Sequence, residues 1–136
     1  MDQPKVDEVR SWMAKARADL DAARFLPTAP VPHFDVAIYH CQQAAEKALK
    51  AVLLHRKIEF PFIHDIEELL EIMTQSGLLV PPDVADAGAL TPYAVEARYP
   101  GYEEEIASSQ VDEAIRLAEN AVTWAARMLS RHKKSS

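Results

Sequence analysis

Residues 34–56 have the sequence FDVAIYHCQQAAEKALKAVLLHR, and the architecture follows from the spacing of their apolar side chains. At about 100° per residue these side chains fall within one sector about 140° wide, and most of them are small. They are Phe34, Ala37, Ile38, Cys41, Ala44, Ala45, Ala48, Leu49 and Val52. This spacing predicts a long helix whose alanine seam lets a second helix approach closely.

Two flanking segments, 6–26 and 109–131, repeat the helical period. Pro27 ends the first of them, because proline cannot continue a helix. Ser109, with Asp112 three residues later, is placed to cap the second, which has the most regular apolar stripe in the chain. Because this stripe is also rich in alanine, the segment is expected to pack beside the helix over 34–56.

The intervening stretch predicts shorter helices. Asp65 and Glu68 have the spacing of a capping box, so a third helix begins there. A fourth is expected from Pro81 to about Arg98, with a kink or a division into two pieces at Pro92. No segment alternates with the period of two typical of strands. The predicted fold class is therefore all-α, an up-and-down four-helix bundle with an additional short helix.

Length and composition fit one domain. The chain has 136 residues, 49% of them hydrophobic and 26% charged. We expect a single helical domain over 1–136, with its core from about 6 to 131 and a basic tail over 132–136. No apolar run reaches about 18 residues and no leader follows Met1, so neither a membrane span nor a signal peptide is expected, and the predicted location is cytoplasmic.

Cysteine and histidine content argues against a metal centre. Cys41 is the single cysteine, which excludes an internal disulfide and a cysteine-built zinc site. The five histidines include no pair four residues apart, the spacing of a helical chelate. We expect no metal and no cofactor.

Charge is distributed unevenly along the chain. The net charge is -6, which opposes nonspecific binding to nucleic acid. Residues 40–57 carry four basic side chains and one acidic one, whereas 58–119 carry two basic and fourteen acidic ones. Basic and acidic regions in one molecule suit self-association or a protein partner, so we predict a homodimer.

One face of the helix over 34–56 is polar. His40, Gln43, Lys47 and Lys50 lie together there, well away from the apolar sector. Such a strip presents charge and directional hydrogen bonds to a phosphate or a base edge. The alternative interpretation is an ordinary solvated helix face.

Aromatic residues surround one of the few basic residues in the acidic region. Arg98 lies beside Tyr99 in the segment LTPYAVEARYPGYEEE, residues 90–105. A planar guanidinium next to aromatic rings is suited to clamping a phosphate or stacking on a base. The same segment also allows Arg98 to pair with a neighbouring glutamate. His64 precedes the predicted cap Asp65, and it is most simply a loop residue. The alternative is a catalytic pair of His64 and Asp65, which neighbouring residues seldom form because their side chains rarely point at each other.

Residues 39–70 (YHCQQAAEKALKAVLLHRKIEFPFIHDIEELL) and 90–101 (LTPYAVEARYPG) contain the motifs HCQQAAEKALK, HD and ARYP. In this combination they closely resemble the HEPN domain of small bacterial and archaeal proteins. The order of the predicted helices extends the likeness to about residues 6–131.

The resemblance implies a four-to-five-helix bundle, commonly homodimeric, often encoded beside a minimal nucleotidyltransferase and proposed to bind nucleotides or RNA. The family pattern falls on His40, Gln43, Glu46, Lys47, His64, Asp65, Arg98, Tyr99 and Pro100. Six of these are the candidate nucleotide- or partner-binding residues: His40, Gln43, Lys47, His64, Arg98 and Tyr99.

Some HEPN proteins are ribonucleases of toxin–antitoxin and defence systems, and they use an arginine followed, after four to six residues, by a histidine. The corresponding positions after Arg98, 103–105, are all glutamates, which repel a scissile phosphate. We therefore expect this motif to be absent, with no catalytic residue, and we predict a binding module. The alternative is a metal-independent ribonuclease toxin of a HEPN/nucleotidyltransferase pair. A third interpretation treats Lys47 and Arg98 as ion pairs that only hold the fold.

Overall fold

Phe34–His55 forms the central helix, as its broad apolar sector predicts. The computed structural model describes residues 3–97 and 106–134, and no strand occurs in these two ranges. Its helices are α1 Gln3–Phe25, α2 Phe34–His55, α3 Ile66–Gln75, α4 Pro82–Ala85, α5 Leu90–Ala97 and α6 Ser108–Lys134, with 3-10 turns at Leu26–Thr28 and Asp86–Ala89. The all-α prediction is confirmed.

The core is built around α2, which packs against α1, α3, α5 and α6. The alanine seam is buried as predicted: Ala44, Ala45 and Ala48 have no solvent exposure. Ala118 and Ala121 of α6 are equally buried, so the prediction that these two helices are neighbours is confirmed. Small side chains on both helices bring the polar groups on the flanks of α2 close to the neighbouring elements.

The predicted fourth helix is divided, although the division comes earlier than expected. Helix α4 passes into the 3-10 turn Asp86–Ala89, and α5 begins at Leu90. Pro92 therefore lies in the first turn of α5, where its missing N–H costs no helical hydrogen bond. At the turn, Gly88 lies against the carboxylate of Glu67 from α3, so a side chain at position 88 would require that carboxylate to move.

The start of α3 agrees with its predicted cap, whereas the start of α6 does not: α6 begins at Ser108, so Ser109 lies inside the first turn. Asp65 is the N-cap of α3, and its Oδ1 accepts a hydrogen bond of 3.0 Å from the backbone N–H of Glu67. Helix α6 continues to Lys134, three residues beyond the predicted end near Arg131. Within the described residues, no helix has the length and apolar character needed to cross a membrane.

Candidate functional site

The polar face of α2 divides between two clusters of side chains. The first cluster faces α1, where the carboxylate of Asp19 accepts a hydrogen bond of 2.8 Å from Nδ1 of His40 and one of 2.6 Å from Nζ of Lys47. All three side chains are largely shielded from solvent. This part of the face therefore joins α1 to α2.

The second cluster is centred on the carboxylate of Glu46, whose side chain is 3% exposed. Oε1 accepts from Nε2 of Gln42 at 2.9 Å, and Oε2 accepts from Nζ of Lys50 at 2.8 Å. Oε2 also lies 3.0 Å from Nδ1 of His64, at the end of the loop before α3. A buried carboxylate with three donors is fully satisfied, so this network fixes the position of the loop.

His64 is oriented by this contact. A carboxylate only accepts hydrogen bonds, so Nδ1 of His64 carries the proton and the Nε2 side of the ring is turned away from Glu46. The His64 side chain is 63% exposed. The backbone oxygen of the same residue accepts a hydrogen bond of 3.0 Å from Nε2 of Gln42, which holds the main chain as well.

Two aromatic rings cover the buried ammonium of Lys50. Its Nζ lies 5.6 Å from the ring centroid of Trp12 and 5.8 Å from that of Phe62, within the range of cation–π attraction. Phe62 also contacts the ring of His64 edge to face, at 5.0 Å between centroids. Despite these contacts, 90% of Phe62 is exposed to solvent.

A cleft of about 330 Å³ lies beside His64, between α2 and α5. Its lining residues are Tyr39, Gln42, Gln43, His64, Thr91, Ala94 and Val95. The amide of Gln43 donates from Nε2 to Oε1 of Gln42 at 2.9 Å, which positions the second amide at the cleft. On the far side, Oγ1 of Thr91 accepts from the backbone N–H of Ile66 at 3.0 Å and so ties α5 to the start of α3.

The structure brings together only part of the predicted site. Gln43 and His64 line one cleft. His40 and Lys47 instead contact the carboxylate of Asp19. Arg98 and Tyr99 lie outside the described residues. The interpretation of the α2 face as a simple solvated surface is wrong for Lys47 and Lys50, because both ammonium groups are paired and shielded.

Sequence reasoning missed Asp19 as a partner of α2 and Gln42 as the centre of the amide pair. Asp19 precedes a buried leucine on α1, and nothing in the local sequence indicates which helix it faces. For the second cluster there was a signal: Gln42, Glu46 and Lys50 follow one another at four-residue steps, the spacing that aligns side chains on one helix face.

The expectation that the arginine–histidine spacing is absent is wrong for one pair. Four residues separate Arg127 and His132 in the sequence, and both belong to α6. The side chain of His132 lies outside the described part of the structure. Among the side chains that the structure describes, no group of three or more His, Cys, Asp or Glu is placed to hold a metal ion.

Comparison with known proteins concerns the whole bundle. The family model described as HEPN domain matches residues 9–129. The crystal structure of an archaeal HEPN homologue is similar, with a TM-score of 0.69 and 25% sequence identity over 89% of this chain and 97% of that one. No curated protein matches the chain. The matched region includes every residue that lines the cleft.

Proposed function

Because this chain belongs to the HEPN domain family, we propose that it is a nucleotide-binding helical module, homodimeric and without catalysis of its own. The proposed protein partner is a minimal nucleotidyltransferase. The proposed ligand is either a free nucleotide or a nucleotide within RNA. Gln43 and His64 supply contacts from the cleft, and Arg98 and Tyr99 supply contacts from the segment after α5. The role proposed for His40 and Lys47 is positional, because both contact Asp19 and so join α1 to α2.

The observation that supports this function is the preorganised cleft. The buried Glu46 carboxylate orients His64, and Gln42 orients Gln43, so two groups with hydrogen-bonding capacity are held at the cleft before any ligand arrives. Preorganised polar groups in a concave site are the general requirement for a small-molecule ligand. The carboxamide of Gln43 offers a donor and an acceptor to a base edge, and Nε2 of His64, whose Nδ1–H is held by Glu46, offers an acceptor to a hydroxyl or N–H of the ligand.

Thermal unfolding in the presence of nucleoside mono-, di- and triphosphates tests the proposal. A ligand at 100 times its dissociation constant stabilises the native state by about 2.7 kcal/mol, which is several degrees for a domain of this size. We expect Gln43→Ala, His64→Ala and Arg98→Ala to reduce the shift. Two exposed residues provide matched controls: Gln75→Ala and His33→Ala should leave it unchanged.

Two results would count against the binding function. The absence of a shift with every nucleotide would exclude a nucleotide ligand, and a partner protein would then remain to be tested by co-purification with the nucleotidyltransferase. Equal shifts in the wild type and all three site variants would remove the cleft and Arg98 from the binding site. The dimer is tested separately, because light scattering at tens of micromolar distinguishes one copy from two.

A second candidate function is supported by the Glu46–His64 contact. A histidine whose Nδ1–H is held by a buried carboxylate presents Nε2 as a base, the arrangement used in many acid–base sites. In metal-independent RNA cleavage, Nε2 takes the proton of a 2′-hydroxyl, the 2′-oxygen bonds to phosphorus, and the 5′-oxygen leaves with the returned proton. The products are a 2′,3′-cyclic phosphate and a 5′-hydroxyl.

Cleavage of a labelled oligoribonucleotide in the presence of a metal chelator tests this candidate. If His64 is the base, His64→Gln abolishes cleavage and His132→Gln leaves it intact; the opposite result assigns the reaction to the Arg127–His132 spacing. An inert wild-type protein that also leaves growing cells unharmed would argue against a ribonuclease of either kind.

A further inference from the structure

Phe62 is exposed although it is held in place on two sides. Its ring contacts the ammonium of Lys50 and the edge of the His64 ring, yet 90% of the residue is exposed to solvent. Single exposed apolar side chains are ordinary on a protein surface. What distinguishes this ring is that its contacts with Lys50 and His64 hold it in place. The network around Glu46 therefore fixes a loop that presents this ring.

Phe62 does not line the cleft itself, and His64 connects the ring to it. His64, which Phe62 contacts, lines the cleft together with Gln43, and Val95 on α5 lines it while remaining 61% exposed. An approaching molecule thus meets apolar surface at Phe62 and Val95 and a carboxamide at Gln43. Oε1 of Gln43 accepts no hydrogen bond within the described contacts, and one N–H of its amide remains after the bond to Gln42.

This combination fits one class of chemical group. A nucleobase has flat faces that stack on aromatic rings, and its edge carries paired donors and acceptors that a carboxamide matches. We propose that Phe62 is a stacking platform for an unpaired nucleobase, whose edge is bound by Gln43. The proposal rests on the proposed nucleotide-binding function and names the part of the ligand that the cleft recognises.

Charge favours a single exposed base over a duplex or a long polyanion. The ammonium of Lys50 is buried on Glu46 and that of Lys47 is paired with Asp19, so neither is available to phosphates. The described residues that line the cleft include no lysine or arginine. The cleft itself would therefore release few counterions on binding, and its contribution to affinity should depend only weakly on salt. In a duplex the faces of a base are covered by its neighbours, which leaves single-stranded ends and mononucleotides as ligands.

The probe is a short single-stranded oligoadenylate that carries one 2-aminopurine, whose fluorescence falls when it stacks. The wild type should bind and quench it. Phe62→Ala should weaken binding by at least about fivefold, the lower end of what loss of one stacked base causes. Phe62→Tyr should restore both affinity and quenching, and Gln43→Ala should weaken binding without removing the quenching.

A second substitution separates stacking from simple apolar contact and from folding. Phe62→Leu keeps an apolar cover over Lys50 and lacks a π-face, so it should fold, as thermal unfolding will show, and lose the quenching. Leu79→Ala is the matched control, because Leu79 is 91% exposed and does not line the cleft. It should behave as the wild type.

The outcomes distinguish this inference from the function on which it rests. If the wild type binds the probe while Phe62→Ala and Phe62→Leu bind and quench equally well, the stacking platform is overturned and nucleotide binding stands. If the wild type binds neither the probe nor any mononucleotide, both fail together. If the Phe62 variants bind normally and lose only self-association, the ring belongs to an interface between copies and the proposal is wrong.

Discussion

The carboxylate of Asp19 in α1 lies 2.6 Å from Nζ of Lys47 in α2 and 2.8 Å from Nδ1 of His40. Two basic groups that the sequence places on an open polar strip thus converge on one acidic group from another helix. This contact supports the interpretation of Lys47 as a residue that holds the fold. It leaves the cleft beside α5 as the place where polar groups remain accessible.

The first prediction concerns this contact. Asp19→Asn removes the charge that two donors share, and hydrogen bonds to charged groups contribute about 1.5–3 kcal/mol. We expect the free energy of unfolding in urea to fall by about 2 kcal/mol. Asp21→Asn is the control, because Asp21 is exposed and its carboxylate makes a long, solvent-screened contact of 3.6 Å with Arg24. This variant should change stability by less than about 0.5 kcal/mol. Equal losses in the two variants would show that the Asp19 contact contributes nothing specific.

The second prediction concerns the buried pair. Glu46→Gln leaves the ammonium of Lys50 buried without its carboxylate, which should cost about 3–5 kcal/mol of stability. Glu46→Gln combined with Lys50→Met removes both charges and should recover most of that loss, since replacing a whole buried pair is often nearly neutral. A double-mutant cycle in urea measures the coupling. Strictly additive losses would contradict direct pairing.

Helix positions were predictable because they depend on local signals. The period of 3.6 residues located α1, α2 and α6, and the cap at Asp65 located the start of α3. The division between α4 and α5 was misplaced at Pro92. Proline is an unambiguous breaker only inside a helix, whereas the turn at Asp86–Ala89 packs against α3, a contact that the local sequence does not reveal.

The site was less predictable, because its residues meet only through packing. Gln43 and His64 are 21 positions apart in the sequence, and their shared cleft depends on where Glu46 holds the loop. A helical wheel gives the direction of Lys47 from α2 and carries no information about the carboxylate on α1 that receives it. The exposure of Phe62 could not be predicted either. It lies in the apolar segment over 60–63 between α2 and α3, and phenylalanine is more often buried than exposed.

The third prediction concerns the start of α3. Asp65→Ala removes the side chain that accepts from the N–H of Glu67, and loss of such a cap costs about 0.5–2 kcal/mol. Because α3 follows the loop that carries Phe62 and His64, the same variant should also weaken nucleotide binding. Asp65→Asn keeps a capping oxygen and is the control, expected to stay close to the wild type in both unfolding and binding. A stable Asp65→Ala protein would mean that packing alone sets the start of α3.

The last prediction concerns Cys41, whose thiol is buried in α2. Burial, reinforced by the negative charge of Glu119, raises the pKa of Cys41 from 9.0 to about 12. Above pH 9.0 the unfolded chain therefore loses this proton while the folded protein keeps it, so the unfolded state binds fewer protons and stability falls as pH rises. The expected slope from this group is about 1.4 kcal/mol per pH unit between pH 9.0 and about 12. Cys41→Ala lacks the group, so urea unfolding across this range should show a shallower decline in the variant, and parallel curves would mean that the thiol ionises alike in both states.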